Sequence, residues 1–209
     1  MSAVENPESG LDADERIAVV DELTNEVVGS ARRAEMRRDN LPHRATYVFI
    51  QAPGGESATN PDLWVQKRTM IKDYCPGYLD PSTGGVVGHG ETYEDNARRE
   101  LEEEMGVKVR EGGGDVGGGR AEGELRHCFS FHYKDERTSV WGDAWDCVWG
   151  GEIVPQPEEV ESVHRYSLSE LIAGKDSEGS TLKSTPDGVI ALQKYRAWLT
   201  EEQGRGGAK

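Results

Sequence analysis

GVVGHGETYEDNARRELEEEMGV, residues 85–107, is the stretch from which the rest of the chain can be read. Its second part has the marks of a helix over about 92–105. Thr92 followed by Asp95 three residues on is a capping signal, and Gly106 stands where a left-handed residue commonly ends a helix. Ala97 and Leu101, four apart, make a narrow apolar stripe. Glu100, Glu103 and Glu104 are related by i+3 and i+4, so their carboxylates fall on one face. Three carboxylates within a turn repel one another, and a divalent cation would relieve that repulsion. Oxygen donors of this kind suit magnesium. Arg99 is expected roughly away from that face, pairing with Glu91 to pin the preceding loop to the helix. The plain alternative, a solvated glutamate-rich helix, explains neither the fixed glycines nor Arg99 and the distant Glu91.

The spacing is G-x5-E-x7-R-E-U-x-E-E-x-G-U, with Leu101 and Val107 at the apolar positions U. A random window matches it with a probability of roughly one in a billion at average residue frequencies. In this the chain resembles the Nudix hydrolases. The resemblance implies an α/β/α sandwich around a mixed β-sheet and magnesium-dependent hydrolysis of a diphosphate linkage, with manganese as a substitute ion. It assigns Glu100, Glu103 and Glu104 to the metal and Arg99 and Glu91 to a supporting ion pair.

The length of 209 residues suits one domain with extensions. A formal charge of −15 argues against a nucleic-acid surface, which should be basic. No apolar run approaches a membrane span, and the acidic start, MSAVENPESGLDADER, does not read as a targeting peptide. Cys75, Cys128 and Cys147 show no metal or disulfide spacing, which fits reduced thiols in a cytoplasmic protein.

Residues 1–14 read as a disordered tail, 15–202 as the domain and 203–209 as a flexible end. Two short strands, Ile17 to Asp21 and Val27 to Ala31, form an N-terminal hairpin. A charged connector leads to a central strand over Arg44 to Gln51, and Leu63 to Thr69 is the next. Residues 110–120 are a glycine-rich insertion, read as a loop because neither strand nor helix flanks it. ELRHCFSFHYKD and TSVWGDAWDCVWGG alternate as a hairpin turned through KDER. The second puts Trp141, Trp145, Cys147 and Trp149 on one face, for core packing, a substrate-stacking wall or a homodimer interface. A strand near Val160 to Tyr166 and a short helix begun by Ser167 or Ser169 follow. Ser184, Thr185 and Pro186 open a C-terminal helix with Val189, Leu192 and Leu199 on its apolar side.

A narrower resemblance covers about residues 17–200. The runs VVDELTNEVVGSARRAEMRRDNLPHRATYVFI and LWVQKRTMIKDYCPGYLDPSTGGVV look like Nudix proteins related to isopentenyl-diphosphate isomerase. Those enzymes use a catalytic cysteine and histidine metal ligands. By spacing, the cysteine position falls at Gly84 and the adjacent histidine at Val86; His43 is retained, and its partner falls near Met36. The isomerase parts are missing while the hydrolase set is complete.

The expected activity is therefore attack of an activated water on a diphosphate joined to another group, in a nucleoside diphosphate derivative or an isoprenyl diphosphate. One glutamate takes the proton, from the helix or from Glu158, Glu159 and Glu161, where such enzymes often place an extra acid. His43, Arg44, Lys67 and Arg68, with Gly85, are the candidates for holding the substrate. An isomerase and a non-catalytic Nudix binding module are the rival readings. Gly84 and Val86 argue against the first and the intact motif against the second.

Overall fold

A computed structural model describes residues 14–110 and 122–206. All of the expected tail but Asp14, nearly all of the glycine-rich insertion and the last three residues lie outside that range; residues 203–206, expected in a flexible end, are helical. The elements run β1 (Arg16–Val20), β2 (Val27–Arg32), α1 (Arg33–Asp39), β3 (His43–Gln51), β4 (Asp62–Arg68), β5 (Leu79–Asp80), α2 (Tyr93–Met105), β6 (Arg126–Lys134), β7 (Ser139–Val148), β8 (Val160–Ser167), α3 (Leu168–Ala173) and α4 (Pro186–Gly206). The strands join in one mixed sheet, with α2 on one face and α3 and α4 on the other, as expected from the sequence.

β3 is the spine. Its β-branched and aromatic residues alternate between two cores, one on each face of the sheet. Tyr47 and Phe49 pack with Leu63, Leu192 and Tyr195 beneath α3 and α4. Val48 and Ile50 pack with Ala97, Leu101 and Met105 of α2. The stripe on α2 is thus one turn longer than Ala97 and Leu101 alone. Thr92 caps the helix, accepting from the Asp95 N–H at 3.1 Å, and Gly106 ends it at φ 67°.

The pairing of β3 is uneven, and this makes the site. Along one edge it runs parallel to β7 from His43 to Gln51, and β6 adds antiparallel to β7. On the other edge it meets β4 only at Ile50 and Gln51, and β1 only at His43. β4, flanked by β8 and β5, swings away from that hinge. The segment 83–87 fills part of the gap by bonding to β3, with Val48 N–H donating to Thr83 O at 2.8 Å and Thr46 N–H to Gly85 O at 3.0 Å. The rest of the gap stays open below α2. No described helix is long and apolar enough to cross a membrane.

Candidate active site

The opening between β3 and β4 is a cavity of about 280 Å³. β3 contributes Ala45, Thr46 and Tyr47, the segment after β5 contributes Ser82, Gly84, Gly85 and Val86, and α2 contributes Arg99, Glu100, Glu103 and Glu104. Two glycines let the loop pass this close to its neighbours. Gly84 has φ 152°, and a Cβ there would collide with the Thr46 carbonyl, 2.8 Å from its carbon. A Cβ on Gly85 would stand 2.6 Å from Glu100 Cδ, so its backbone lies directly against that carboxylate.

The three glutamates share a helix face but not an environment. Glu104 is 1% exposed and Glu103 is at the rim, its side chain 53% exposed. Glu104 accepts from Lys72 Nζ and from Gln66 Nε2, each at 2.9 Å, and from the Gly84 N–H at 3.4 Å. Burial pushes its carboxyl up, but Lys72, Arg68 and Gln66 more than offset that and hold it below the usual range. Glu100 lacks such support. Burial first, and then the Glu104 charge, push it up to about 8 against the pull of Arg99. One of two adjacent carboxyls therefore keeps its proton at neutral pH when no cation is bound.

Arg99 does more than reach back to Glu91. Its Nε donates to Glu91 Oε1 at 3.0 Å, while Nη1 lies 2.9 Å from Glu100 and 2.8 Å from Glu103. It thus covers the carboxylate face that it was expected to avoid. Glu91 also accepts from Asn96 Nδ2 and the Gly88 N–H, each at 2.9 Å. These bonds and Arg99 lower its pKa despite burial.

Of the three acids expected near residue 160, the fold brings only Glu159 to the cavity, where it meets Lys72. Glu158 points to solvent, and Glu161 pairs with Lys67 at 2.6 Å on the outer surface. Lys67 is thereby turned away from the site. Arg44 is turned away too, bound to the Asn25 side chain and carbonyl and lying over the Tyr93 ring. Arg68 and His43 do line the cavity. Arg68 is buried and pairs with Asp80 at 2.8 Å. His43 is 2% exposed and donates Nδ1–H to Leu41 O at 2.9 Å, since a carbonyl only accepts. Burial, aided by the nearby Arg37 charge, lowers its pKa to about 3, so the ring is neutral.

Several lining residues had no motif to announce them. Arg33 and Arg37 of α1 share Asp73 at 2.9 and 3.2 Å. Their i+4 spacing puts them on one helix face, a signal that the connector ARRAEMRRD did carry. Lys72 lies in the loop after β4, and Asp187, from the first turn of α4, accepts from Tyr47 and Tyr74 hydroxyls at 2.7 and 3.2 Å. Neither position has a spacing to betray it.

The tryptophan row takes structural positions. Trp145 and Trp149 pack against the core beneath α2, and Trp141 Nε1 donates to Glu22 O at 2.9 Å. None of the three lines the cavity. The three cysteines form no disulfide.

Comparison with known proteins places this arrangement. The profile of the NUDIX domain matches residues 41–185. A chain described as an uncharacterised Nudix hydrolase of Yersinia pestis is 37% identical over 186 residues, 89% of this chain and 86% of that one. The uncharacterised Nudix hydrolase YfcD of Escherichia coli K12 is 35% identical, with 87% of each chain covered. Among solved structures, DR0079 from Deinococcus radiodurans superposes with a TM-score of 0.65 at 24% identity, covering 86% of this chain and 98% of that one. The NUDIX domain of Shewanella oneidensis NrtR, solved with ADP-ribose, superposes with a TM-score of 0.55 at 12% identity, covering 81% and 99%. These last two likenesses concern the fold. With the family profile spanning most of the chain and the curated relatives covering nearly all of it, the chain belongs to the Nudix hydrolases, enzymes that act on pyrophosphate-type bonds.

Proposed function

We propose that the protein is a magnesium-dependent hydrolase of a diphosphate joined to a hydrophilic group, a nucleoside diphosphate derivative by preference, rather than a prenyl diphosphatase or an isomerase. The observation that carries this is the cavity lining. Glu100, Glu103, Glu104 and Glu159 face it together with Lys72, Arg99, Arg33, Arg37 and Arg68, so the wall is charged rather than apolar. A prenyl chain would have to strip water from these charges, which is unfavourable unless each is paired anew.

The donor set fits a hard divalent cation. It is all oxygen, and it already forces a proton onto Glu100. Glu100 and Glu104 would hold the ion, with Glu103 at the rim. When bound, the ion supplies charge neutralisation for phosphate oxygens and activation of water. Arg99 anchors Glu103 and Glu100 through Glu91, and Glu159 stands within reach of the cavity to take a proton. Arg33, Arg37 and Arg68 offer guanidinium donors to the polar portion of the substrate. His43, held neutral, offers an acceptor.

Isomerisation needs an acid where Gly84 stands, and the backbone there leaves no room for a side chain. Cys75, the nearest thiol in sequence, is buried and does not line the cavity.

The test is a panel of polar and prenyl diphosphates assayed with magnesium and with chelator, following phosphate and monophosphate release. ADP-ribose, the ligand of the Shewanella domain, has the required chemistry and belongs in the panel. Magnesium-dependent cleavage confined to polar members is expected. Cleavage of prenyl compounds alone would overturn the substrate class.

A further inference from the structure

We propose that Lys72 is a tethered counter-cation: its ammonium holds the place of positive charge on Glu104, and a divalent ion loads by displacing it. This rests on the assignment of the glutamates to a cation made above.

The side chain of Lys72 is 5% exposed, and its Nζ lies 2.9 Å from Glu104 Oε1 and in contact with Glu159 Oε2. The other Glu104 oxygen is already taken by Gln66 and the Gly84 N–H. An ion approaching from the cavity therefore meets the oxygen on which the ammonium sits. Two cations on one carboxylate oxygen repel at short range in a poorly solvated place, so an ion there loosens the hold of the ammonium. Among the described residues no group of three His, Cys, Asp or Glu side chains is arranged to hold a metal ion. Lys72 stands between Glu104 and Glu159, and Arg99 between Glu100 and Glu103.

The architecture lets the ammonium leave at low cost. Its neighbours in the chain are held on both sides: Thr69 Oγ1 donates to Glu158 O at 2.9 Å, and the Asp73 side chain is held by Arg33 and Arg37. The four-carbon stem is the movable part. Glu159 is a second partner on the cavity side, so the ammonium can give up Glu104 and keep one carboxylate. That pivot turns it from the floor of the site toward the space where a diphosphate would lie, which couples loading of the ion to exposure of a phosphate-binding cation.

Two measurements test this, neither of them activity. In the wild-type protein, amine acetylation read residue by residue by mass spectrometry should leave Lys72 protected in chelator. Magnesium should raise its labelling rate several-fold while Lys67 and Lys108 do not change. By calorimetry, Lys72→Met should bind magnesium about tenfold more tightly in the absence of substrate. If magnesium binds and Lys72 stays protected, or if Lys72→Met binds magnesium no more tightly, the displacement is wrong and the hydrolase assignment stands. If the wild-type protein binds no magnesium at millimolar concentration, both fall. Should Lys72→Met not fold, the labelling experiment decides alone.

Discussion

Replacing Glu104 by Gln keeps the volume of the side chain and removes one charge from the floor of the site. That carboxylate is 1% exposed and takes bonds from Lys72 and Gln66, each at 2.9 Å. Removing one partner of a buried ion pair costs about 3–5 kcal/mol when the other charge is left alone. Here Lys72 keeps Glu159, and relief of the repulsion between Glu100 and Glu104 offsets part of the loss. A net cost of about 2 kcal/mol in the metal-free protein follows, or about 4–8 °C in melting temperature for a chain of this size. The Glu100 carboxyl, which the Glu104 charge helps push to about 8, should titrate lower in the variant. The rise in melting temperature on adding magnesium should largely vanish, and turnover should fall by at least about a hundredfold, as loss of a tuned metal shell predicts. Differential scanning calorimetry in chelator and in magnesium, with steady-state hydrolysis alongside, reads all three. Wild-type turnover together with an undiminished magnesium effect on melting would refute the role given to Glu104.

Four further outcomes follow from the site and from the charge of the chain. Glu100 holds at about 8 a proton that it would otherwise lose near 4.5, so metal-free stability from this group falls as pH rises from about 4.5 to about 8. Magnesium competes with that proton and should raise the melting temperature more at pH 8 than at pH 5; equal increments would count against an ion on Glu100. His43 acts at the acid end: its buried ring resists protonation down to about 3, so stability is lost as pH drops below 6.5. Given isopentenyl diphosphate and magnesium, the protein should leave it unchanged, and enzyme-dependent dimethylallyl diphosphate on a chromatogram would mean that the chemistry has been misassigned. With a net charge of −15, duplex DNA and RNA should not be retained at physiological salt in a gel-shift assay, and micromolar, salt-sensitive binding would contradict this.

What could be read from the sequence was local. The capping pair, the closing glycine and the spacing of the glutamates all lie within one helix and its preceding loop, where periodicity reports geometry directly. The strands announced themselves by β-branched and aromatic runs, although β5, two residues long, gave too little pattern to see. What escaped was set by long-range pairing. The splay of β4 from β3 depends on which residues of two strands meet, and no single stretch encodes it. Lys72 reaches acids 32 and 87 residues away, and Asp187 lies 140 residues from Tyr47. Arg44 and Lys67 looked as suitable for phosphate as Arg68. Asn25 holds the Arg44 side chain aside, and alternation along β4, with Glu161 on the other face, turns Lys67 outward.

Water at a carboxylate-held divalent ion should break a phosphoanhydride, and oxygen-18-labelled water reports where the new oxygen goes. With the best polar substrate of the panel and magnesium, each cleavage should place one labelled oxygen on a product phosphate, with no label on the departing organic group and no reaction in chelator. Label on carbon, or cleavage that continues undiminished in chelator, would contradict the account.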